Sequence, residues 1–221
     1  MKILIFDTET SGLPEERNCS VLSLHKWPYI VQLAYILYDT DTNIILDYYD
    51  TLINISDDVY ISPESINIHK ITKEMCNEKG QNIRQVLNRF NNILLQCDLI
   101  VGHNLQFDKN IVIVEFLRNK MLHNFNPNNI IKPSFCTMEN GKSICKLTYQ
   151  NKFGNIVTKY PKLLELFKHY FGNIPEGLHN AMCDVIITLR CYYKMQYNLD
   201  ILESSLDMKN LNNLYFNNII I

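Results

Sequence analysis

No apolar run in the 221 residues approaches the roughly 20 that a bilayer-spanning helix requires. Asp7 interrupts the first apolar run after four residues, which excludes the core of an ordinary signal peptide. A soluble intracellular protein, cytoplasmic or nuclear and without a membrane partner, is therefore expected. C-x-x-C spacing is also lacking. The seven cysteines, Cys19, Cys76, Cys97, Cys136, Cys145, Cys183 and Cys191, are odd in number and scattered, so neither a disulfide framework nor a zinc ribbon is indicated, and reduced thiols are expected. Neither sign of charge prevails, with 21 basic and 23 acidic residues giving a net charge of −2. Nothing in the overall balance attracts a polyanion. Internal repeats and flexible linkers are absent as well, and the length suits one large domain with a real core.

What the chain does have is charge unevenly placed. Residues 1–60 hold ten acids against Lys2, Arg17 and Lys26, whereas residues 132–169 hold seven lysines against only Glu139 and Glu165. The second stretch is either a phosphate-facing surface or a solvated loop and helix face.

Four apolar residues, Ile3 to Phe6, lead directly into Asp7-Thr8-Glu9. Such a run suits a strand covered on both faces. Side chains alternate across a strand, so Asp7 and Glu9 project to one side. Two acids held together beside an apolar sheet repel each other and lose hydration, and a cation between them relieves both costs. Oxygen ligands alone favour Mg2+ or Mn2+ over zinc. An isolated D-x-E is equally a polar turn after a strand, and further acids must decide between the two.

Downstream, Leu13 to Pro28 reads as a polar surface loop. Ile30 to Tyr38 and Ile44 to Tyr49 form a hairpin about Asp39 to Asn43, giving one side of a mixed sheet. Ser62-Pro63 caps a short helix through His69, and Asn82 to Gln96 is an amphipathic helix. Leu99 to Val101 is a short buried strand. Asn104 then caps a helix packed through Phe107, Ile111, Val114 and Leu117, with Asp108 in its first turn. An acid at the start of a helix after a central strand occupies the usual ligand position of open α/β sheets. Alone it would rather be read as complementing the helix dipole. Residues 123–160 read mostly as loop, with a short strand near Pro133 to Cys136. Helices follow over Lys162 to Phe171 and Asn180 to Tyr197, and a peripheral helix or packed tail from Asp200. His179 stands at the junction into the long helix and Asp184 five residues on, about one and a half turns, and Ala181 is small enough for the helix to approach the acids closely.

The segments FDTETSGLP at 6–14, VGHNLQFDKNIV at 101–112 and LHNAMCD at 178–184 resemble, in order, the three motifs of the DEDDh family of 3′-to-5′ exonucleases. IHKIT at 68–72 and KLLELF at 162–167 add to a resemblance that covers nearly all of residues 1–197. It implies an α/β, RNase H-like fold with a central mixed five-stranded sheet flanked by helices. A single exonuclease domain would occupy residues 1–197, with residues 198–221 as a tail packed on it. Asp7, Glu9, Asp108 and Asp184 would hold two Mg2+ or Mn2+ ions, and His179 would act as general base. Thr8, Thr10, Leu13, His69, Asn104 and His179 would contact substrate, Leu13 as a wedge between the last two bases. The implied activity is hydrolysis at single-stranded or frayed 3′ ends, of DNA rather than RNA, releasing nucleoside 5′-monophosphates in proofreading or repair. An exoribonuclease and a non-catalytic polymerase-accessory module are the alternatives, and any polymerase partner would bind in trans.

Overall fold

The computed structural model describes residues 1–173 and 180–216. Strand β1 (Lys2–Thr10) is the centre of the sheet, and its side chains divide the interior. Leu4 and Phe6 enter one core while Ile3 and Ile5 enter the other, the period-two alternation of a strand buried on both faces. On one side β1 pairs antiparallel with β2 (Ile30–Asp39), which pairs antiparallel with β3 (Ile44–Leu52). On the other it pairs parallel with β4 (Leu99–Gly102), followed by β5 (Ser134–Cys136). The resulting order is β3-β2-β1-β4-β5, a mixed five-stranded sheet as expected.

Helices cover both faces. On the Leu4 and Phe6 side lie α3 (Ile83–Gln96) and α4 (Leu105–Arg118), below a pair of short helices, α1 (Pro63–His69) and α2 (Lys73–Lys79). Ser62 caps α1 as the sequence predicts, accepting from the Ser65 amide at 3.1 Å. On the Ile3 and Ile5 side lies α7 (Ala181–Tyr197), reached through α5 (Thr137–Cys145) and α6 (Leu163–Phe171). Beyond it, α8 (Ile201–Ser204) and α9 (Leu206–Phe216) pack on α7 and β3, with Met208 and Leu211 buried.

Several expectations are corrected. Strand β3 runs to Leu52, three residues further than read. The Leu13 to Pro28 loop is not wholly superficial, because Trp27 is buried against the core. Asn104 stands at the N-cap position of α4 but makes no side-chain cap bond; it adopts a left-handed conformation, φ 62°, which asparagine tolerates better than most residues. The packing surface of α4 is wider than a single stripe, since Leu105, Val112, Glu115 and Phe116 are buried while Phe107 and Leu117 are only half-buried. Residues 123–160 contain α5 and a separate two-stranded ribbon, β6 (Thr148–Gln150) and β7 (Ile156–Thr158). Helix α5 buries Thr137 and Gly141 instead of large apolar residues, so no helical period marks it. Helix α2 buries only Cys76 and is unmarked for the same reason.

One buried ion pair ties the loop after β1 to this frame. Glu115 is almost fully buried, and burial raises its pKa despite the guanidinium of Arg118 at 2.6 Å. Arg118 also donates to the carbonyls of Leu24, Trp27 and Pro28 at 2.6 to 2.8 Å and lies 3.9 Å over the Tyr29 ring. Removing one member of a buried pair strands the other's charge, at a cost of about 3–5 kcal/mol. Arg118→Met should therefore lower unfolding stability by that order in urea melts. Adding Glu115→Gln should recover part of the loss, whereas independent, additive effects would show that the two are not a pair.

Candidate active site

The site lies where β1 and β4 part. Their pairing ends at Ile5 with Val101, so the amide of Thr8 points past the end of β4 with no strand partner there. A carboxylate from the first turn of α4 takes its place. Asp108 Oδ1 accepts from the Thr8 amide at 3.1 Å and from the Thr8 hydroxyl at 2.7 Å. Leu105 packs close to the backbone at Gly102, where a Cβ would meet its Cδ1 at 2.8 Å.

Asp7 and Glu9 share the face of β1 that looks toward α7. Asn180 caps that helix, its side chain accepting from the amides of Met182 and Cys183 at 3.1 and 3.4 Å. Ala181 is fully buried at the contact, and Asp184 follows one turn later. One carboxylate oxygen from each of Asp7, Glu9 and Asp184 lies within 4.8 Å of the others. Asp108 adds its charge from the opposite side of the strand. Of the five residues expected to carry the chemistry, Asp7, Glu9 and Asp184 thus converge and Asp108 lies close by; the fifth, His179, lies outside the described residues.

Such a cluster is electrostatically costly. Burial, then the charges of Asp108, Asp184 and Glu9, hold the Asp7 carboxyl well above the usual carboxylate range. Glu9 is pushed up to about 8 by burial and by Asp184 and Asp108. Asp108 is raised to about 7, again chiefly by burial, with the two Thr8 bonds opposing the rise. Without a counter-charge the cluster retains protons near neutrality. An all-oxygen donor set with three ligand atoms this close fits a hard divalent cation of the Mg2+ or Mn2+ type.

Four of the six residues expected at the substrate, Thr8, Thr10, Leu13 and His69, line an open cleft of about 860 Å3 beside the acids, together with Glu9. Leu13 is 82% exposed at this cleft, and is not a core residue. His69 is buried. Its Nδ1 accepts from the Ile71 amide at 3.0 Å, which leaves Nε2–H to donate to the Thr10 carbonyl at 3.2 Å. The imidazole therefore holds the end of β1 against α1. The Thr10 hydroxyl donates to the Gly12 carbonyl at 2.7 Å, and Thr8 is committed to Asp108. Asn104 is exposed at the end of β4, outside the residues that line the cleft.

Three residues here escaped the sequence reading. Tyr60, outside every motif, and Ile68, which only opens the IHKIT segment, are exposed on the cleft wall. Gln32 is the cross-strand neighbour of Glu9. Its Oε1 accepts from the Ala181 amide at 3.2 Å and its Nε2 donates to Asp50 at 2.7 Å, fastening the start of α7 to the strand beside β1. A single amide within the apolar run Ile30 to Leu37 was the signal available for it.

Acids gathered at the carboxyl end of a central mixed sheet, with oxygen-only ligands for a divalent cation, define a nuclease of RNase H-like architecture. Within that class the chain belongs to the RNase T exonuclease family, whose model matches residues 4–192. This family is one of DEDD-type 3′-to-5′ exonucleases. Among solved structures, Escherichia coli exonuclease I in complex with a dT13 oligonucleotide is similar, with a TM-score of 0.66 and 20% identity over 89% of this chain and 42% of that one. The zinc-bound form of the same enzyme with single-stranded DNA matches with a TM-score of 0.66 and 19% identity, over 96% of this chain and 42% of that one. At these identities the likeness is one of fold, and this chain spans about two fifths of those chains. Among the curated proteins none matches in sequence. Among the described residues no helix is long and apolar enough to cross a membrane.

The raised carboxylates give the apo protein a distinctive pH dependence. Acids whose folded pKa lies above the unfolded value of about 4 bind more protons when folded, so stability falls as pH rises through the interval between them. With folded values of about 7 for Asp108 and about 8 for Glu9, the melting temperature in EDTA should drop between pH 5 and pH 8. Saturating Mn2+, binding only the folded state, should raise the melting temperature and flatten that slope. Identical slopes with and without Mn2+ would show that no cation site forms there.

Proposed function

We propose that this chain is a divalent-metal-dependent 3′-to-5′ exonuclease of the DEDDh type, hydrolysing single-stranded or frayed DNA 3′ ends and releasing nucleoside 5′-monophosphates. The convergence of Asp7, Glu9 and Asp184 on one point beside an open cleft, with Asp108 behind them, carries the reading. A non-catalytic module would have no use for buried acids that repel one another. In exonuclease I, a fold relative, bound dT13 and dA16 oligonucleotides support single-stranded DNA as the substrate class.

Asp7, Glu9, Asp108 and Asp184 are the residues that would hold two Mg2+ or Mn2+ ions. When bound, such ions supply an activated water and neutralise charge developing on the phosphate and the departing oxygen. The chain's own residues do the rest. Thr8 fixes the Asp108 carboxylate, and the Gln32 side chain fixes the start of the helix that carries Asp184. His179, in the role the family resemblance implies, accepts the proton from the attacking water. Thr10, held by His69, presents backbone to the terminal 3′-hydroxyl, and Leu13 stacks against the terminal bases with Asn104 farther along the groove. Residues 1–197 act as the catalytic unit, with the following segment packed on it through Tyr215 to Asp50 and Ser205 to the Asn43 carbonyl.

Digestion of matched end-labelled strands tests this reading. With Mg2+, linear single strands should be shortened from the 3′ end to 5′-monophosphates, frayed duplexes faster than paired ones, and circles should resist. His179→Ala should lower kcat by roughly 10² to 10⁴ with little change in Mn2+ binding. Asp184→Asn should instead shrink the Mn2+-induced rise in melting temperature. Rapid cutting of circles, or parental kcat in His179→Ala, would overturn the assignment.

A further inference from the structure

The lysine-rich stretch singled out in the sequence is not used by the carboxylate site, and the structure gives it a definite form. Residues 140–164 hold five lysines and no acid. Their centre is the β6-β7 ribbon, which belongs to none of the three hydrophobic clusters of the described residues. A lone two-stranded ribbon is marginal in water, yet this one carries large apolar side chains outward. Tyr149 is 52% exposed, Phe153 76% and Tyr160 50%.

The tip is nevertheless well organised. Asn151 Oδ1 accepts from the amides of Phe153 and Asn155 at 2.9 and 3.0 Å, and its carbonyl accepts from Gly154, whose φ of 82° suits glycine. Phe153 is thereby presented on a built turn. Two of the lysines stand over the rings themselves, Lys142 at 4.5 Å from Tyr160 and Lys152 at 5.2 Å from Phe153. Lys159 pairs with Glu165, while Lys146, Lys152 and Lys162 are exposed, with no ion pair among the described residues.

The ribbon is also fixed relative to the carboxylates. At its base the Lys159 amide donates to the Leu147 carbonyl at 2.9 Å. Just beyond, the Pro161 carbonyl accepts from His103 Nε2 at 3.2 Å. His103 follows Gly102 at the carboxyl end of β4, and its other nitrogen lies 2.9 Å from the Thr137 hydroxyl at the start of α5. The ribbon's exit is therefore anchored at the end of the sheet where Asp7, Glu9 and Asp108 sit, with the chain from His103 running into the helix of Asp108.

We propose that the β6-β7 ribbon is an accessory binding arm for single-stranded DNA, gripping the strand upstream of the 3′ end by stacking bases on Phe153 and Tyr149 and by phosphate contacts from Lys146 and Lys152. Exposed rings interleaved with unpaired cations and free of acids are complementary to a polyanion whose bases are unstacked. An apolar protein partner would be served by the rings but not by the surrounding positive charge. This inference rests on the nuclease reading for its substrate class, but its test separates the two.

Binding of a 5′-labelled oligo(dT) of about 20 nucleotides in EDTA reports on the arm without catalysis, and each stacked ring should contribute about tenfold in affinity. Phe153→Ala and Tyr149→Ala should each weaken binding by about that factor at unchanged melting temperature. Lys146→Ala with Lys152→Ala should weaken binding and reduce its salt dependence. With Mg2+ the ring variants should raise KM for the long strand at unaltered kcat. They should leave hydrolysis of thymidine 5′-monophosphate p-nitrophenyl ester, too small to reach the arm, at the parental rate. Parental affinity for the oligonucleotide in both ring variants, or a parent that binds no strand in EDTA, would overturn the arm and leave those rings to a protein partner. A parent that binds the strand through the arm yet cleaves neither substrate would instead defeat the nuclease reading alone.

Discussion

Mutual repulsion among half-buried carboxylates, with the buried Asp108 beside them, is the constraint on which this structure turns. In water such acids would separate or be screened; at the end of β1 they can do neither. Burial is the first cause of the raised pKa at Asp7, Glu9 and Asp108 alike, with the neighbouring charges adding to it. A frame that holds acids in this state must be stiff enough to resist their separation. The central strand supplies that stiffness, since Ile3 to Phe6 are buried on both faces and β1 is paired along both edges up to Ile5.

Beyond that point, polar side chains take over from strand pairing. Asp108 occupies the position β4 vacates and accepts both the amide and the hydroxyl of Thr8. On the other face, the Ala181 amide, Gln32, Asp50 and the Tyr215 hydroxyl form a continuous chain of hydrogen bonds from the start of α7 to α9. Burial raises the Asp50 carboxyl, and its bonds to Gln32 and Tyr215 oppose that rise. Fully partnered buried networks of this kind favour one arrangement of the elements that carry them. On the far side of the cleft, Arg118 and His69 serve the same end, the first tying Leu24, Trp27 and Pro28 to α4, the second tying Thr10 to α1.

Much of this was legible in the residues. The continuous apolar run before Asp7, the hairpin about Asn43, and the helical period from Ile83 to Leu94 each announce their element, because each buries one regular face. Asp7, Glu9, Asp108 and Asp184 stood out together only through the resemblance of three segments to the exonuclease motifs, and the structure gathers Asp7, Glu9 and Asp184 with Asp108 close enough to raise the pKa of Asp7 and Glu9. What escaped is what regular patterning does not encode. Helix α5 is held by Thr137 and Gly141, small or polar residues that carry no hydrophobic period, and the three-residue strands of the β6-β7 ribbon are too exposed to alternate. Gln32 and Arg118 act through partners far away in sequence, 149 residues for the Gln32 bond to Ala181 and about 90 for the Arg118 bonds to the loop. Such pairings become visible only once the chain has folded.

The site and its surroundings consequently obey different rules. Phosphodiester chemistry tolerates little displacement of its ligands, and the acids sit on a central strand and the first turns of two helices, where neighbours on every side fix them. Holding a strand of arbitrary sequence has the opposite requirement, because every base offers a π-face and stacking accepts them all. The exposed side chains suited to it, Leu13, Tyr60 and Ile68 around the cleft and Phe153 on the ribbon, lie on loops, short helices and a turn. Loops on a rigid scaffold are where such contacts vary without disturbing the fold. On the proposed reading a change at Phe153 would bear on how long a strand is held, whereas a change at Thr8 or Gln32, bonded to Asp108 and to the start of α7, bears on where the acids stand.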